Sequence, residues 1–182
     1  MHREILRSQK RGGQDDDIKK FLMVPSTRIS AGLLMYRKRA GHLEVFLIHP
    51  GGPFWVKKDE GVWSIPKGEI NPGEELLKAA MREFSEEVGL APDSQKEFLP
   101  LGEIKQKGGK TVHAWAFEGD LDPLHKITGG QFTMEWPPRS GKTATFPEVD
   151  RGQFFTIAEA RKKLIEAQHP FLERLVQEFS HF

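Results

Sequence analysis

Residues 68 to 90, GEINPGEELLKAAMREFSEEVGL, constrain this chain more than any other stretch, because they carry the marks of a helix together with six acidic side chains against two basic ones. Leu77, Ala80, Met81, Phe84 and Val88 recur at helical spacing and predict a core-facing stripe. Asn71 is placed to cap, Pro72 suits the first helical position, Glu74 follows the cap by three residues, and Gly89 stops the helix. On that helix Glu86 and Glu87 flank Glu83 at roughly −60° and +40°, so all three carboxylates leave one face. Like charges so close are unfavourable unless something positive sits among them. Arg82, four residues before Glu86, can hold that one, but a single guanidinium cannot neutralise three carboxylates. Clustered hard oxygen donors suit Mg²⁺ or Mn²⁺, so the segment predicts a metal centre.

The rest of the chain reads as a frame for that centre. At 182 residues, 37% of them apolar, it can bury one core of ordinary size. Lys and Arg number 27 and Asp and Glu 26, a balance without the footprint of a duplex nucleic-acid or membrane binder. The absence of cysteine excludes disulfides, thiolate metal sites and cysteine nucleophiles, and with no apolar run of signal or membrane type the expected setting is cytoplasmic. Residues 1 to 26 mix basic and acidic runs without period and are expected to be an N-terminal extension, with one domain over 27 to 182. ISAGLLMYRK and HLEVFLIH predict adjacent strands around a turn at 39 to 41, VWSIP a short strand, and LPLGEIKQK with TVHAWAFEG a hairpin turning at Gly108 and Gly109. Residues 50 to 61 and 120 to 147 are expected as loops, GQFFTI as a strand, and 157 to 167 and 170 to 180 as helices.

The spacing of the central segment resembles the Nudix box: Gly68, five residues, Glu74, seven residues, Arg82-Glu83, apolar Phe84, Ser85, Glu86-Glu87, Val88, Gly89 and apolar Leu90. The competing reading, a solvated acidic helix face, does not account for every fixed position at once. The resemblance implies an α/β/α sandwich with a mixed β-sheet and hydrolysis of a nucleoside diphosphate linked to another moiety. It implies that Glu83, Glu86 and Glu87 bind metal with the Gly68 carbonyl, and that Arg82 and Glu74 orient the catalytic carboxylates. It leaves the general base open between a box glutamate and a distal one. Glu148 in FPEVDRGQFF resembles the distal glutamate, an ordinary loop acid being the bland alternative, and Glu135 is a weaker candidate. A monomer and a homodimer are both compatible with this reading.

Phosphate charge calls for local cations, and Lys67 abuts the box. WSIPKG resembles the entry to the box in asymmetric dinucleoside-tetraphosphate hydrolases and in diphosphoinositol-phosphate hydrolases. Lys57, Lys58, Lys105, Lys107 and Lys110 are weaker candidates, solvated surface being the usual fate of lysine. In TMEWPPRSGKTATFPE, Arg139 can grip phosphate and Trp136 can stack on a base, whereas Trp55, Trp63 and Trp115 suit packing. SGKT and GGKT imitate a phosphate-binding loop, but Trp136 and Ile104 stand where its first glycine is required. The seven histidines form no zinc pattern, and His49 ends a strand beside the glycine-rich loop with substrate contact as its other reading. The expected activity is therefore cleavage of a small nucleotide, of dinucleoside polyphosphate type. The alternatives are a nucleoside triphosphate pyrophosphohydrolase and a non-hydrolysing nucleotide sensor.

Overall fold

The computed structural model describes residues 28 to 180. The expected extension over 1 to 26 therefore lies outside the described residues. β1 (Ile29–Arg39) and β2 (His42–Pro50) form a hairpin across Ala40 and Gly41, both at positive φ, as a two-residue turn between right-twisted strands requires. They pair antiparallel only from Tyr36 opposite Val45 to the turn. Beyond that point they splay, and the segment leading into the acidic helix wedges between them. Ser64 bridges Ile48, and β3 (Lys67–Glu69) pairs antiparallel with Ser30 to Gly32. The expected VWSIP strand is thus two isolated bridges followed by a strand that begins at Lys67. The wedge sets Gly68 opposite Ala31, at the end of the sheet where β1 begins.

α1 (Leu76–Val88) crosses back, and β4 (Leu99–Lys105) and β5 (Thr111–Glu118) form the expected hairpin through Gly108 and Gly109. β5 runs parallel to β1, and β8 (Val149–Thr156) closes the other edge against β2. The order β4-β5-β1-β2-β8, with β3 beside β1, makes a mixed sheet. Central β1 is buried on both faces, which explains why ISAGLLMY reads as a continuous apolar run. Its Ala31, Leu33 and Met35 meet Ala80, Phe84 and Val88 of α1. Its Leu34 and Tyr36 meet the opposite layer, α2 (Ile157–Lys163) and α3 (His169–Phe179), through Ala160, Phe171, Leu172 and Leu175. The fold is the expected α/β/α sandwich.

Three expectations need correction. The helix expected over 157 to 167 ends at Lys163, where Leu164 turns extended and bridges Trp63. Helix α1 begins at Leu76, not at Pro72: Gly73 has φ 76°, a left-handed conformation that interrupts the helix path, so Asn71 to Glu74 form a turn before it. Residues 120 to 147 are not a structureless loop, for they contain a second sheet of β6 (Gln131–Glu135) and β7 (Thr143–Pro147). Among the described residues no helix is long and apolar enough to cross a membrane.

Candidate active site

The wedge, α1 and the junction of β7 with β8 meet where β1 begins. Gly68 lies so close beneath Glu83 that a Cβ there would overlap the carboxylate. Only glycine fits. One residue earlier, the Lys67 backbone N–H donates to Glu87 Oε2 at 2.7 Å, so the wedge runs directly under two of the three box carboxylates.

Arg82 organises the others. Its Nε and Nη2 donate side by side to Glu74 at 2.8 and 2.9 Å, and its Nη1 reaches Glu83 Oε1 at 2.6 Å and Glu86 Oε2 at 3.3 Å. A further bond from Nη2 to the Glu69 carbonyl at 3.0 Å ties the guanidinium to β3. Glu74 can reach it because the turn at Gly73 folds the chain back over the first turns of α1. Hydrogen bonding to Arg82, then to the Asn71 backbone, holds the Glu74 carboxyl down at about 2, and the Glu74 and Glu83 bonds push Arg82 further above its ordinary value.

Glu87 is the outlier. Burial raises its carboxyl from 4.5 to about 7, with the charges of Glu83 and Glu148 adding to the rise and Lys67 opposing it. Burial likewise holds the Lys67 ammonium below its usual range, Glu87 and Glu83 pulling the other way. Both shifts are chiefly the cost of burying a charge. Glu148, from the far end of the chain, is one of the charges that Glu87 feels. Its backbone N–H donates to Gly130 at 2.8 Å, its carbonyl accepts from Gly51 at 2.9 Å, and a Cβ on Gly130 would stand 2.6 Å from Glu148 Oε2.

The donor set is oxygen only, from Glu83, Glu86, Glu87 and the Gly68 backbone, which is the chemistry of Mg²⁺ or Mn²⁺. Among the described residues no three acidic or histidine side chains already stand as a ready-made ligand group. Arg82 and the Lys67 N–H take up the carboxylates in this state. A divalent cation fits on two observations: the missing Cβ at Gly68 leaves backbone against Glu83, and Glu87 is raised by burial with the charges of Glu83 and Glu148 adding to it.

The loops expected to decide substrate come together. Phe54 of the 50 to 61 loop packs edge-on against Trp136 at 5.4 Å, and Trp136 against Phe146 of β7 at 6.3 Å. Gly52, Pro53, Val56, Phe146, Pro147 and Asp150 line an apolar cleft of about 330 Å³ on either side of Glu148 in the chain. Arg139 sits exposed in the β6–β7 turn at φ 63°, the whole length of β7 away from Glu148, roughly 13 Å of strand. Glu135 is spent on that turn, accepting from the Gly141 N–H at 2.8 Å. Lys57 is exposed, and Lys58 lies over the Trp55 ring at 4.6 Å. Lys110 approaches Glu69 at 3.8 Å, at the rim of the site. Trp63 is core, 2% exposed, and His49 is wholly buried with both ring nitrogens engaged, so it does not face substrate. Sequence reading missed Gly130 and Gly51, which hold Glu148 from segments 18 and 97 residues away. No local pattern marks them.

The sandwich, the wedge and the carboxylates gathered on α1 define a class, and a profile of the NUDIX domain matches residues 26 to 175. The chain belongs to the Nudix family. An RNA pyrophosphohydrolase from Brucella anthropi is 31% identical over 135 residues, 66% of this chain and 71% of that protein. A bis(5'-nucleosyl)-tetraphosphatase (asymmetrical) from Caenorhabditis elegans is 38% identical over 64 residues, 35% of this chain. An RNA pyrophosphohydrolase from Novosphingobium aromaticivorans is 42% identical over 104 residues, 54% of this chain. The chain spans only 42% and 56% of the length of these last two relatives. Among solved structures, a C. elegans Ap4A hydrolase binary complex superposes with a TM-score of 0.62 at 22% identity, covering 84% of this chain and 99% of that one, a likeness of fold.

Proposed function

We propose that this protein is a divalent-metal-dependent pyrophosphohydrolase that cleaves a phosphoanhydride bond in a small nucleotide, of dinucleoside polyphosphate type. The observation that carries the reading is the buried Glu87 carboxyl beside Gly68 and Lys67, with Glu83 and Glu148 near enough for their charges to raise it further. Glu83, Glu86, Glu87 and the Gly68 carbonyl are the groups that would hold Mg²⁺ or Mn²⁺. Bound there, the ion supplies positive charge to the diphosphate and acidifies a water. Arg82 ties Glu83 and Glu86 to the turn through Glu74, which keeps their carboxylates on one side of the helix. Lys67 offsets phosphate charge from the wedge. Glu148, on its glycine seat, accepts the proton of the attacking water. The apolar cleft lined by Pro53, Val56, Phe146 and Pro147, with Trp136 packed edge-on against Phe146, takes the base on the far side of the diphosphate, since an apolar slot suits a ring and not a phosphate.

A second reading, removal of pyrophosphate from a 5'-triphosphate end, is favoured by the relatives named RNA pyrophosphohydrolase, one of which matches over two thirds of this chain. A product screen with and without Mg²⁺, resolving nucleotides, pyrophosphate and phosphate, separates the two. Its substrates are diadenosine tetraphosphate, nucleoside triphosphates, a triphosphorylated oligoribonucleotide, ADP-ribose and a diphosphoinositol phosphate. The expected result is Mg²⁺-dependent conversion of diadenosine tetraphosphate to ATP and AMP. Turnover of the triphosphate end alone establishes the second reading, and nucleotide binding with no turnover of any substrate would make the protein a sensor.

A further inference from the structure

The strand that carries Glu148 is irregular where it passes the site. Val149 pairs with Pro50 and Arg151 with His49, so Asp150 has no partner on β2 and is the extra residue of a β-bulge. Bulges re-aim the side chains next to them. Beneath this one lies His49, fully buried at 0% exposure, with Nδ1 2.8 Å from Asp150 Oδ1 and Nε2 2.8 Å from the Lys58 carbonyl. A carboxylate and a carbonyl both only accept hydrogen bonds, and a neutral imidazole carries a single N–H. Both bonds form together only if each ring nitrogen bears a proton.

We propose that His49 is held as an imidazolium and is a positioning residue: its pair with Asp150 sets the bulge that aims Glu148, and its bond to Lys58 ties the 50 to 61 loop to the same point. The inference rests on the reading of Glu148 as the proton acceptor. Three segments converge on this one cation: the end of β2, the loop that walls the base cleft, and the start of β8. The ring is clamped edge-on by Trp63 at 5.1 Å, and the Trp63 Nε1–H donates to Asp59 Oδ1 at 3.0 Å. The other charges around it are on these same elements and on α2. Arg151 stands 5.3 Å over the Trp63 ring and 4.0 Å from Asp59, Lys163 pairs with Asp59, and the Lys58 ammonium is drawn away over Trp55. Asp150 is thus the one carboxylate bonded to the ring, and Asp59 is held by other partners.

Replacing Asp150 with Asn keeps the shape and an acceptor for Nδ1 but removes the charge that favours the second proton. The ring then carries a single N–H, the asparagine amide being able to donate to an unprotonated Nδ1, and the ion pair that pins the bulge becomes a neutral hydrogen bond. Misplacement of a catalytic group by an ångström can cost about a hundredfold, so Asp150→Asn is expected to lower kcat roughly 10- to 100-fold, with KM changed less. If His49 and Asp150 act through Glu148, the same substitution in a Glu148→Gln background lowers kcat by less than about twofold further.

Two measurements on the full chain decide it. Nitrogen-15 NMR of the wild-type His49 ring near neutral pH is expected to show both nitrogens protonated, and Asp150→Asn to show one. A singly protonated wild-type ring would overturn the proposal, as would a wild-type kcat in Asp150→Asn. So would an equal fold-loss from Asp150→Asn with and without Glu148→Gln, an outcome that leaves the reading of Glu148 standing. Full activity of Glu148→Gln alone overturns that reading instead, whatever the state of the ring. The NMR measurement on wild-type protein needs no variant to fold, and the thermal transition of each variant separates misaiming from unfolding.

Discussion

Glu87→Gln in metal-free protein should be stabilising, and by an amount that depends on pH. The folded state raises this carboxyl from 4.5 to about 7, chiefly through burial. Between those values the folded protein holds a proton that the unfolded chain has lost, so stability falls as pH rises and the loss is complete above the folded value. With about 1.4 kcal/mol per tenfold, ionised Glu87 costs the fold about 3 kcal/mol. Glutamine does not titrate, and its side-chain oxygen can still accept from the Lys67 N–H. Relative to wild type, the variant should therefore gain roughly 2 to 3 kcal/mol between pH 5 and pH 8. For a chain of this size that corresponds to roughly 5 to 10 °C in Tm. The assay is thermal unfolding in a chelator at the two pH values, repeated with Mg²⁺. Added Mg²⁺ should raise the wild-type Tm at the higher pH and leave the variant nearly unmoved. A variant less stable than wild type at the higher pH, or a gap that does not change with pH, would refute the reasoning.

Gly68→Ala should lower kcat by about a hundredfold with little change in Tm, because the new methyl must displace the Glu83 carboxylate at a half-exposed site; steady-state kinetics at saturating Mg²⁺ and a melting curve check both halves. Arg82→Lys keeps the charge but loses the fork that binds Glu74 side by side while reaching Glu83 and Glu86. Its apparent affinity for Mg²⁺ should drop about 10- to 100-fold, read from the metal dependence of turnover. Trp136→Ala should raise KM roughly tenfold, the worth of a lost stacking contact, and spare kcat for substrates whose base lies in the cleft.

Helix α1 was legible because its apolar stripe and its stop at Gly89, at φ 79°, are local facts. Its start was not, because Glu74 Oε2 does accept the Asn71 N–H at 2.8 Å, half of a capping pair, yet the Glu74 N–H donates to the Asn71 backbone carbonyl and Gly73 turns the chain before the helix begins. The cap chemistry is present in a turn. β1 and β2 were visible as apolar runs since the core covers both of their faces. β6 and β7 were invisible for the opposite reason: they stand off the main core with one face half-exposed, held to each other by Phe132 against Phe146 at 6.0 Å and by Thr133 to Thr145. Glu83, Glu86, Glu87 and Arg82 could be read from one segment because one helix presents them. The seat of Glu148 could not, since Gly51 and Gly130 contribute backbone groups and the room a side chain would fill, and only the fold brings them to it. His49 was legible as a strand end, but its two acceptors come from a loop and a bulge that no periodicity records.

The most direct test of the central claim is turnover of diadenosine tetraphosphate in oxygen-18 water by wild type and Glu83→Gln, each shown to be folded by its thermal transition. The account predicts Mg²⁺-dependent hydrolysis by wild type with one labelled oxygen in one product of each cleavage. It predicts at least about a thousandfold less in Glu83→Gln, because several kcal/mol of charge stabilisation depends on that carboxylate. Turnover by Glu83→Gln at the wild-type rate would contradict it.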